Sequence, residues 1–348
     1  MLSPRSHHPM LRAFRPGPSR LLVLAMFLAL GACDGAESPL DPADDPQPAA
    51  TEPAATEAVA PDNASLIAAS ERITFISFRD PGAPNLANGN VYKIDPWGHN
   101  EVRVTSSFDN DYAPSWSYDN KRIAVVRYRW DGNVGHDDIW VMDANGSNGH
   151  WVRPTPSPWD LFDPTWSPDG THLVLTVWWA STNWYLAKMN VATGDIQLIS
   201  PGTGGFVGTR PSYNKAGTKI VYVGPKYGTV EQINADGTGH KIRYTSSSGA
   251  VDHPTFSPDG TKIAFEKGAI PGNTDIFVKN LVDGVTKRLT WSTAADRNAT
   301  WSPDGSKIAF MSERSGTAQI WTMNSAAGGS LLRITHTTSH ERYPSWSH

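Results

Sequence analysis

The chain has 348 residues, of which 39% are hydrophobic and 18% charged, and Cys33 is its single cysteine. One cysteine forms no internal disulfide, so stability must come from a buried core, for which a domain of this length is ample. Outside four N-terminal arginines and eight acids between residues 34 and 65, the chain holds 26 basic and 26 acidic residues. A neutral domain without a basic stripe argues against nucleic acid as a ligand.

Residues 1–32 have the composition of a signal peptide. Four arginines and no acid precede Asp34, and the apolar run 21–30 ends just before Cys33. So short a run is typical of a signal peptide rather than of a membrane-spanning helix. Residues 30–33, Leu-Gly-Ala-Cys, resemble the bacterial lipobox, which implies that Cys33 carries lipid and becomes the mature N-terminus. The alternative is an ordinary signal peptide that is cleaved nearby.

Residues 33–65 are predicted to form a disordered tether. They contain eight acids, six prolines, many alanines and no lysine or arginine. Such a segment cannot bury enough apolar surface to fold, and its like charges keep it extended.

Residues 66–348 carry one motif in six copies. The clearest copies are DPTWSPDG at 163–170, HPTFSPDG at 253–260 and NATWSPDG at 298–305. The aromatic position recurs every 43 to 50 residues, which is typical of a four-stranded propeller blade. The six aromatic residues are Trp116, Trp166, Tyr213, Phe256, Trp301 and Trp346.

The motif explains the first two strands of each blade. Pro presets φ, Asp accepts hydrogen bonds from nearby backbone, and Gly takes a left-handed conformation, so Pro-Asp-Gly predicts a tight turn. The segments 262–265 and 307–310 alternate large and small apolar residues, as expected of a strand buried on both faces. Segments such as 138–142 and 286–290 predict the third and fourth strands.

These repeats resemble the units of TolB-type six-bladed propellers, whose pattern is roughly D-x-x-P-x-W-S-P-D-G-x-x-I-A-F. The resemblance covers about residues 71–348 and implies an all-β fold, a six-bladed β-propeller of four-stranded antiparallel blades. It also implies a non-catalytic protein of the cell envelope that binds a protein or peptide. The acidic position departs from the pattern in three repeats, where Asp163 precedes Pro164 directly, Asp252 lies two residues before Pro254, and Arg210 has no acid nearby. The separate N-terminal α/β domain of TolB has no counterpart in this sequence.

The two ends of the repeat region predict how the ring closes. The last copy stops at His348 after a first-strand motif, whereas residues 71–77 resemble a second strand without a first. We therefore expect the closing blade to take its inner strand from the C-terminus and three strands from residues 71–105, which removes an open sheet edge.

Connection lengths predict a binding face. The short turns lie on one edge of the blades, here called the turn face, and the long connections 79–89, 129–136, 154–162 and 201–209 lie on the other, the loop-rich face. Long loops on a rigid scaffold usually carry function. The candidate binding residues are Asp111, Trp130, Trp159, Asp163, Arg210, Asp252, His253, Asp296, Arg297, Glu341 and Arg342.

Five acids among these candidates precede the inner strands, so they should converge at the channel mouth. They could capture Ca²⁺ or another divalent cation, or a basic peptide. They could equally hydrogen-bond backbone and join the blades. Because Arg210, Arg297 and Arg342 lie on the same connections, we expect ion pairs and no cofactor.

Other side chains leave alternatives open. His136, His253, His336 and His340 could bind a metal or be solvated, and Trp178, Trp179 and Trp184 could stack a sugar or fill a blade core. Local hydrolase, metalloprotease and phosphate-loop motifs are absent. The alternative to a binding module is a carbohydrate-active propeller, an oligosaccharide lyase or hydrolase with mouth carboxylates, histidine and a divalent metal. We expect a monomer on the periplasmic face of the inner or outer membrane, anchored only by its lipid.

Overall fold

The structure, a computed structural model, describes residues 71–348 except 81–88, 107–108, 131, 133, 154–158, 180–182, 200–207 and 269–271. The predicted signal peptide, Cys33 and the tether lie outside the described residues. The described part of the chain forms six four-stranded antiparallel sheets. Within it, no helix is long and apolar enough to cross a bilayer.

The predicted six-bladed propeller is confirmed. Blades 1 to 5, numbered in chain order, each use four consecutive strands, from the fourth to the twenty-third, and blade 6 combines the last strand with the first three. In every blade the strand that begins the repeat motif lies innermost. In chain order the strands are β1 (Ile73–Ser77), β2 (Asn90–Ile94), β3 (Val102–Arg103), β4 (Asp111–Trp116), β5 (Arg122–Trp130), β6 (Gly135–Asp143), β7 (His150–Trp151), β8 (Asp160–Trp166), β9 (His172–Trp179), β10 (Asn183–Asn190), β11 (Ile196–Leu198), β12 (Thr209–Tyr213), β13 (Lys219–Val223), β14 (Thr229–Asn234), β15 (Lys241–Thr245), β16 (Ala250–Phe256), β17 (Lys262–Gly268), β18 (Thr274–Asn280), β19 (Thr286–Arg288), β20 (Asp296–Trp301), β21 (Lys307–Ser312), β22 (Gln319–Asn324), β23 (Leu332–Arg333) and β24 (Glu341–Trp346).

Ring closure is confirmed as well. Strand β24 pairs with β1 from Ile73 opposite Trp346 to Ser77 opposite Glu341. The backbone N–H of Ser347 then donates to Arg72 O at 2.8 Å. The first and last described strands therefore complete one sheet.

The core lies between neighbouring blades and is built around the aromatic residue of the motif. Trp166 of blade 2 is fully buried in a cluster with Ala124, Val126 and Ile139 of blade 1. Its indole Nε1 donates to Ser115 O of blade 1 at 3.1 Å. The buried ring satisfies its polar atom on the preceding blade, so one side chain supplies apolar contact and a directional bond between blades.

The Pro-Asp-Gly turns form as the motif predicts. In blade 2, Ser167 Oγ donates to Asp169 Oδ1 at 2.6 Å, and Thr171 N–H donates to the same oxygen at 3.0 Å. Gly170 has a φ of 67°, where a side chain would be strained. These hydrogen bonds lower the pKa of Asp169 to about 2.

Candidate functional site

A β-bulge in each inner strand selects the side chains at the channel mouth. In blade 1, Tyr112 pairs with Val126 and Ser115 pairs with Ala124, so two residues of β4 oppose one of β5. The residue before the motif proline, or before Ala299 in blade 5, has a left-handed φ of 42° to 56° in all six blades. These bulge residues are Ala113, Asp163, Arg210, His253, Asn298 and Tyr343. A bulge redirects a side chain, and here it gives the mouth six different groups at one level.

The bulge residues line a cavity of about 200 Å³ along the propeller axis. Towards the turn face, each inner strand adds a hydroxyl two residues later, as Ser115 and Thr165 do in blades 1 and 2. Tyr118, Lys215 and His348 line the far end, where His348 stacks on Tyr118 with 3.8 Å between ring centroids. The lining of the cavity thus changes from six different side chains at the mouth to a ring of hydroxyl groups below them.

Of the five candidate acids only Asp163 lines this cavity, and the other four do not. Asp111, Asp296 and Glu341 have 0% exposure and lie inside their own blades. This differs from the predicted convergence of five acids, because the first residue of the inner strand points into the sheet packing and only the bulge residue turns towards the axis.

Each buried acid is held by an arginine of the second strand or of the connection just after it. Asp111 Oδ1 lies 2.6 Å from Arg127 Nε, and Asp296 Oδ2 lies 2.8 Å from Arg314 Nη2. Glu341 Oε1 lies 3.2 Å from Arg79 Nη2. The expected ion pairs exist, but Arg297 and Arg342 are not the partners.

A charged cluster joins blades 3 and 4 at the mouth. Arg210 Nη1 lies 2.9 Å from Asp252 Oδ1, and Arg210 Nε donates to His253 Nε2 at 3.2 Å. His253 Nδ1 lies 2.9 Å from Glu266 Oε1, which also accepts a hydrogen bond from Asn298 N–H at 2.6 Å. These contacts require the proton of a neutral His253 to lie on Nδ1, between the carboxylates.

The two carboxyl groups of this cluster differ in the direction of their pKa shifts. Burial raises the pKa of Asp252, and Arg210 offsets this only in part. Burial opposes ionisation of Glu266 too, but His253 and the Asn298 N–H outweigh it and lower the pKa of Glu266. Burial disfavours the protonated form of His253, yet Asp252 and Glu266 prevail and raise the pKa of His253. The cluster is therefore compensated internally.

Asp252, His253 and Glu266 could offer a metal ion three ligand atoms within 4.8 Å of one another. A cation there would have to replace Arg210 beside Asp252 and to displace the His253 proton from Glu266. Because the guanidinium already neutralises the carboxylate, the donor set fits a metal poorly.

Aromatic side chains cluster beside the mouth on blades 1 and 2, where Tyr112 and Phe162 immediately precede the bulge residues. Tyr112 and Phe162 have ring centroids 6.5 Å apart, and Phe162 lies 5.6 Å from Trp184. Trp184 stacks on Trp178 at 6.0 Å. Trp159, one of the candidates, packs against the core between these two blades. We call this group the aromatic sector.

Blades 5 and 6 contribute Arg297 and Arg342 at equivalent positions, here called the arginine sector. Arg297 donates to Thr274 Oγ1 and Gly272 O, both at 3.2 Å. The Arg342 guanidinium lies 5.9 Å from the Phe78 ring centroid. Among the described residues, no carboxylate lies within ion-pairing distance of either arginine. The mouth therefore has an aromatic side, a compensated side and a cationic side.

The other candidates lie apart from the mouth. Trp130 is 59% exposed at the end of β5. His136 Nδ1 lies 3.8 Å from Asp160 Oδ1, and His340 Nδ1 accepts a hydrogen bond from Ala318 N–H at 3.3 Å. His336 is exposed, with Nε2 3.2 Å from Arg333 O. The four histidines do not converge on one site.

Sequence reasoning missed Glu266, Tyr343 and the arginines that hold the buried acids. A signal for those arginines exists, because Ser77-Phe-Arg79 and Ser312-Glu-Arg314 repeat one spacing, and each serine pairs with the first acid of an inner strand. Nothing in the sequence singles out Glu266, since its partners come from two other segments.

Comparison with known proteins agrees with this architecture. Residues 229–348 match the family model of the TolB beta propeller domain. The TolB homolog of Chlorobium luteolum is 35% identical over 133 residues, which is 36% of this chain and 27% of that protein. The Tol-Pal system protein TolB of Rhizorhabdus wittichii is 46% identical over 81 residues, 23% of this chain and 17% of that protein. The uncharacterized peptidase YuxL of Bacillus subtilis is 27% identical over 177 residues, 49% of this chain and 22% of that protein.

Solved structures show the same fold. TolB from Acinetobacter baumannii superposes with a TM-score of 0.67 at 20% identity, over 80% of this chain and 67% of that chain. An oligogalacturonate lyase in complex with manganese gives a TM-score of 0.50 at 18% identity, over 72% of each chain. The described part of the chain is a six-bladed β-propeller, and its residues 229–348 are similar to the TolB beta propeller domain. The chain spans only 17% to 27% of the length of the curated relatives it matches.

Proposed function

We propose that the protein is a non-catalytic binding module of the cell envelope that takes a protein or peptide partner on its loop-rich face. The observation that carries this proposal is the mouth, where side chains of different blades form the aromatic and arginine sectors beside the longer connections. Aromatic and arginine side chains dominate the energetics of protein interfaces. The similarity to TolB-type proteins supports an envelope role, and the partner itself remains part of the proposal.

The N-terminal segment supports a location at the membrane. We propose that residues 1–32 are removed, that Cys33 carries lipid, and that residues 33–65 hold a monomeric propeller away from the inner or outer membrane on its periplasmic face. Cys33→Ser should release the protein from membranes or stall its processing, as fractionation and mass spectrometry of the N-terminus would reveal. A mature wild-type protein that begins elsewhere and carries no lipid would contradict the anchor.

Crosslinking in the native envelope tests the binding face. A photo-reactive phenylalanine analogue at Phe162 should crosslink a polypeptide. The same analogue at Val282, which is 80% exposed in a short turn on the opposite face, should not. Equal yields from both positions, or none from Phe162, would count against the proposal.

One observation favours the alternative of a carbohydrate-active enzyme, namely the three potential metal ligands of the charged cluster. Turnover of an acidic oligosaccharide that requires a divalent metal and disappears in Glu266→Gln would establish it. The Arg210–Asp252 ion pair favours the binding module instead.

A further inference from the structure

The second and third strands of blades 1 and 2 extend farther towards the loop-rich face than those of the other blades. In every blade the motif aromatic pairs with an aliphatic residue near the start of the second strand, as Trp116 does with Ile123 and Tyr213 with Ile220. Strands β5 and β6 have 9 residues and β9 and β10 have 8, whereas the second and third strands of blades 3 to 6 have 5 to 7. Because the turn-face ends are level, strands β5 and β6 extend roughly 7 to 13 Å beyond the second and third strands of blades 3 to 6.

Two exposed apolar side chains flank the end of this hairpin. Trp130 is 59% exposed and Val134 is 54% exposed, on the two sides of the connection. Successive side chains of β5 point to opposite faces of the sheet, so Trp130 and Tyr128 lie on the same face as Ala124 and Val126. Ala124 and Val126 turn towards blade 2. A tryptophan at the end of a projecting hairpin is available to a partner on the loop-rich face.

Two polar side chains near this tryptophan in sequence, Arg129 and His136, are engaged within the described part of the protein. Arg129 Nη1 lies 3.6 Å from Asp138 Oδ2, and His136 Nδ1 lies 3.8 Å from Asp160 Oδ1. Sugar sites combine a stacking ring with hydrogen-bonding side chains for the hydroxyl groups. Among the described residues, the other exposed side chain at this hairpin end is the apolar Val134, which favours a polypeptide side chain over a glycan.

Besides an apolar side chain for Trp130, the partner needs a charge that complements the arginine sector. In ring order, the arginine sector on blades 5 and 6 is followed by Tyr112 on blade 1 and Phe162 on blade 2. A segment that lies across blades 5, 6, 1 and 2 meets two guanidinium groups without a carboxylate partner among the described residues, and then aromatic rings. Its charge must be negative on the arginine side, because an anion there forms charge-assisted hydrogen bonds.

We propose that the partner is an acidic polypeptide segment that docks off-axis, with a large apolar side chain against Trp130 and carboxylates on Arg342 and Arg297. This inference rests on the proposed function and specifies its partner and geometry. It makes the β5–β6 hairpin the principal anchor, since aromatic anchors combine large contact area with few rotatable bonds.

The test uses the full-length protein in its envelope, with the photo-reactive analogue at Phe162 as reporter. We expect Trp130→Ala to lower the crosslinking yield about tenfold and Arg342→Gln to lower it severalfold. The effect of Arg342→Gln should be smaller at high salt, because salt screens the interaction between charges. Val282→Ala, an exposed apolar truncation on the turn face, should leave the yield unchanged. Sequencing of the crosslinked peptide should reveal acids next to a large apolar residue.

Peptide probes provide an independent measurement. A labelled peptide of alternating Glu and Leu should bind the purified protein at least tenfold more tightly than its Lys-Leu and Glu-Ser counterparts, and Trp130→Ala should remove that preference. A normal crosslinking yield in Trp130→Ala would overturn the off-axis anchor while leaving the proposed function intact. A basic peptide or a glycan at the crosslink would overturn the stated chemistry, and no crosslink in the wild type would remove the proposed function itself.

Discussion

Glu341 is a buried acid whose charge is only partly compensated. Its side chain has 0% exposure, Oε1 accepts hydrogen bonds from Thr337 and Ser77, and Oε2 has no hydrogen-bond partner among the described residues. Burial raises its pKa to about 7, with Thr337 and Arg79 offsetting part of the effect. An ionisable group that joins the first and last described strands therefore titrates near neutrality.

Stability should depend on pH through this group. The folded-state pKa lies above the ordinary value of 4.5, so the folded protein binds this proton more tightly. Stability is then fully present below about pH 4.5 and falls as pH rises through about 7, by up to about 3 kcal/mol. Glu341→Gln should flatten that decline in thermal unfolding measured from about pH 5 to 8.

Asp275 provides a matched comparison, because burial raises its pKa to about 6 and its effect has the same sign. Adding Asp275→Asn to Glu341→Gln should flatten the curve further. A slope unchanged in both variants would contradict the assignment.

The charged cluster makes a second prediction at this scale. Because Arg210 already neutralises Asp252, Ca²⁺ should raise the melting temperature little. A cation that bound well would stabilise the fold by about 2.7 kcal/mol at a hundredfold excess over its Kd. A large calcium-dependent shift, abolished by Asp252→Ala but not by the turn-face control Asp236→Ala, would favour a metal site.

Among the elements, the inner-strand bulge determines what the channel presents. It places one residue per blade at a positive φ, and in five of the six blades the next residue is proline. Proline lacks an N–H and is tolerated at bulges. Turn and strand patterns can be read locally, but which residue faces the axis depends on the register between β4 and β5 and their equivalents.

Ala113 tests the strain at a bulge, since its φ is 48°. Ala113→Gly should leave the free energy of unfolding unchanged or raise it by up to about 1 kcal/mol, because glycine adopts this conformation without penalty. Ala124→Gly, in the buried middle of β5, should lower it by about 1 kcal/mol or more. Equal destabilisation in both variants, measured by denaturant unfolding, would contradict a strained bulge.

For the whole molecule, closure through β24 and β1 is the contact that makes six blades one ring. Trp346 is 2% exposed and packs with Ile73 and Phe75 of β1. Its indole Nε1 donates to Glu71 Oε2 at 3.2 Å. Residues far apart in the chain thus share one core.

Deleting residues 343–348 should therefore broaden the melting transition and lower its midpoint, because it exposes β1 and removes a buried aromatic residue. Trp346→Ala alone should lower the free energy of unfolding by about 3 to 5 kcal/mol. Trp130→Ala, the same truncation at an exposed site, should change it by less than about 0.5 kcal/mol. A truncated chain that melts like the full one would contradict closure by these strands.

The sequence alone determined the repeat, the six blades, the turns and the closing blade, because each depends on local chemistry or on a period that survives without contacts. The tertiary structure alone decided the site. Glu266, Arg210 and Asn298 belong to three different segments, and only the packing of blades 3, 4 and 5 brings them to His253. Asp111, Asp296 and Glu341 resemble mouth residues in the sequence, yet burial beside arginines made them internal ion pairs. No local sequence pattern reveals that a side chain is buried or that its partner lies on a distant strand. The residues at the mouth are therefore determined by strand register and blade packing.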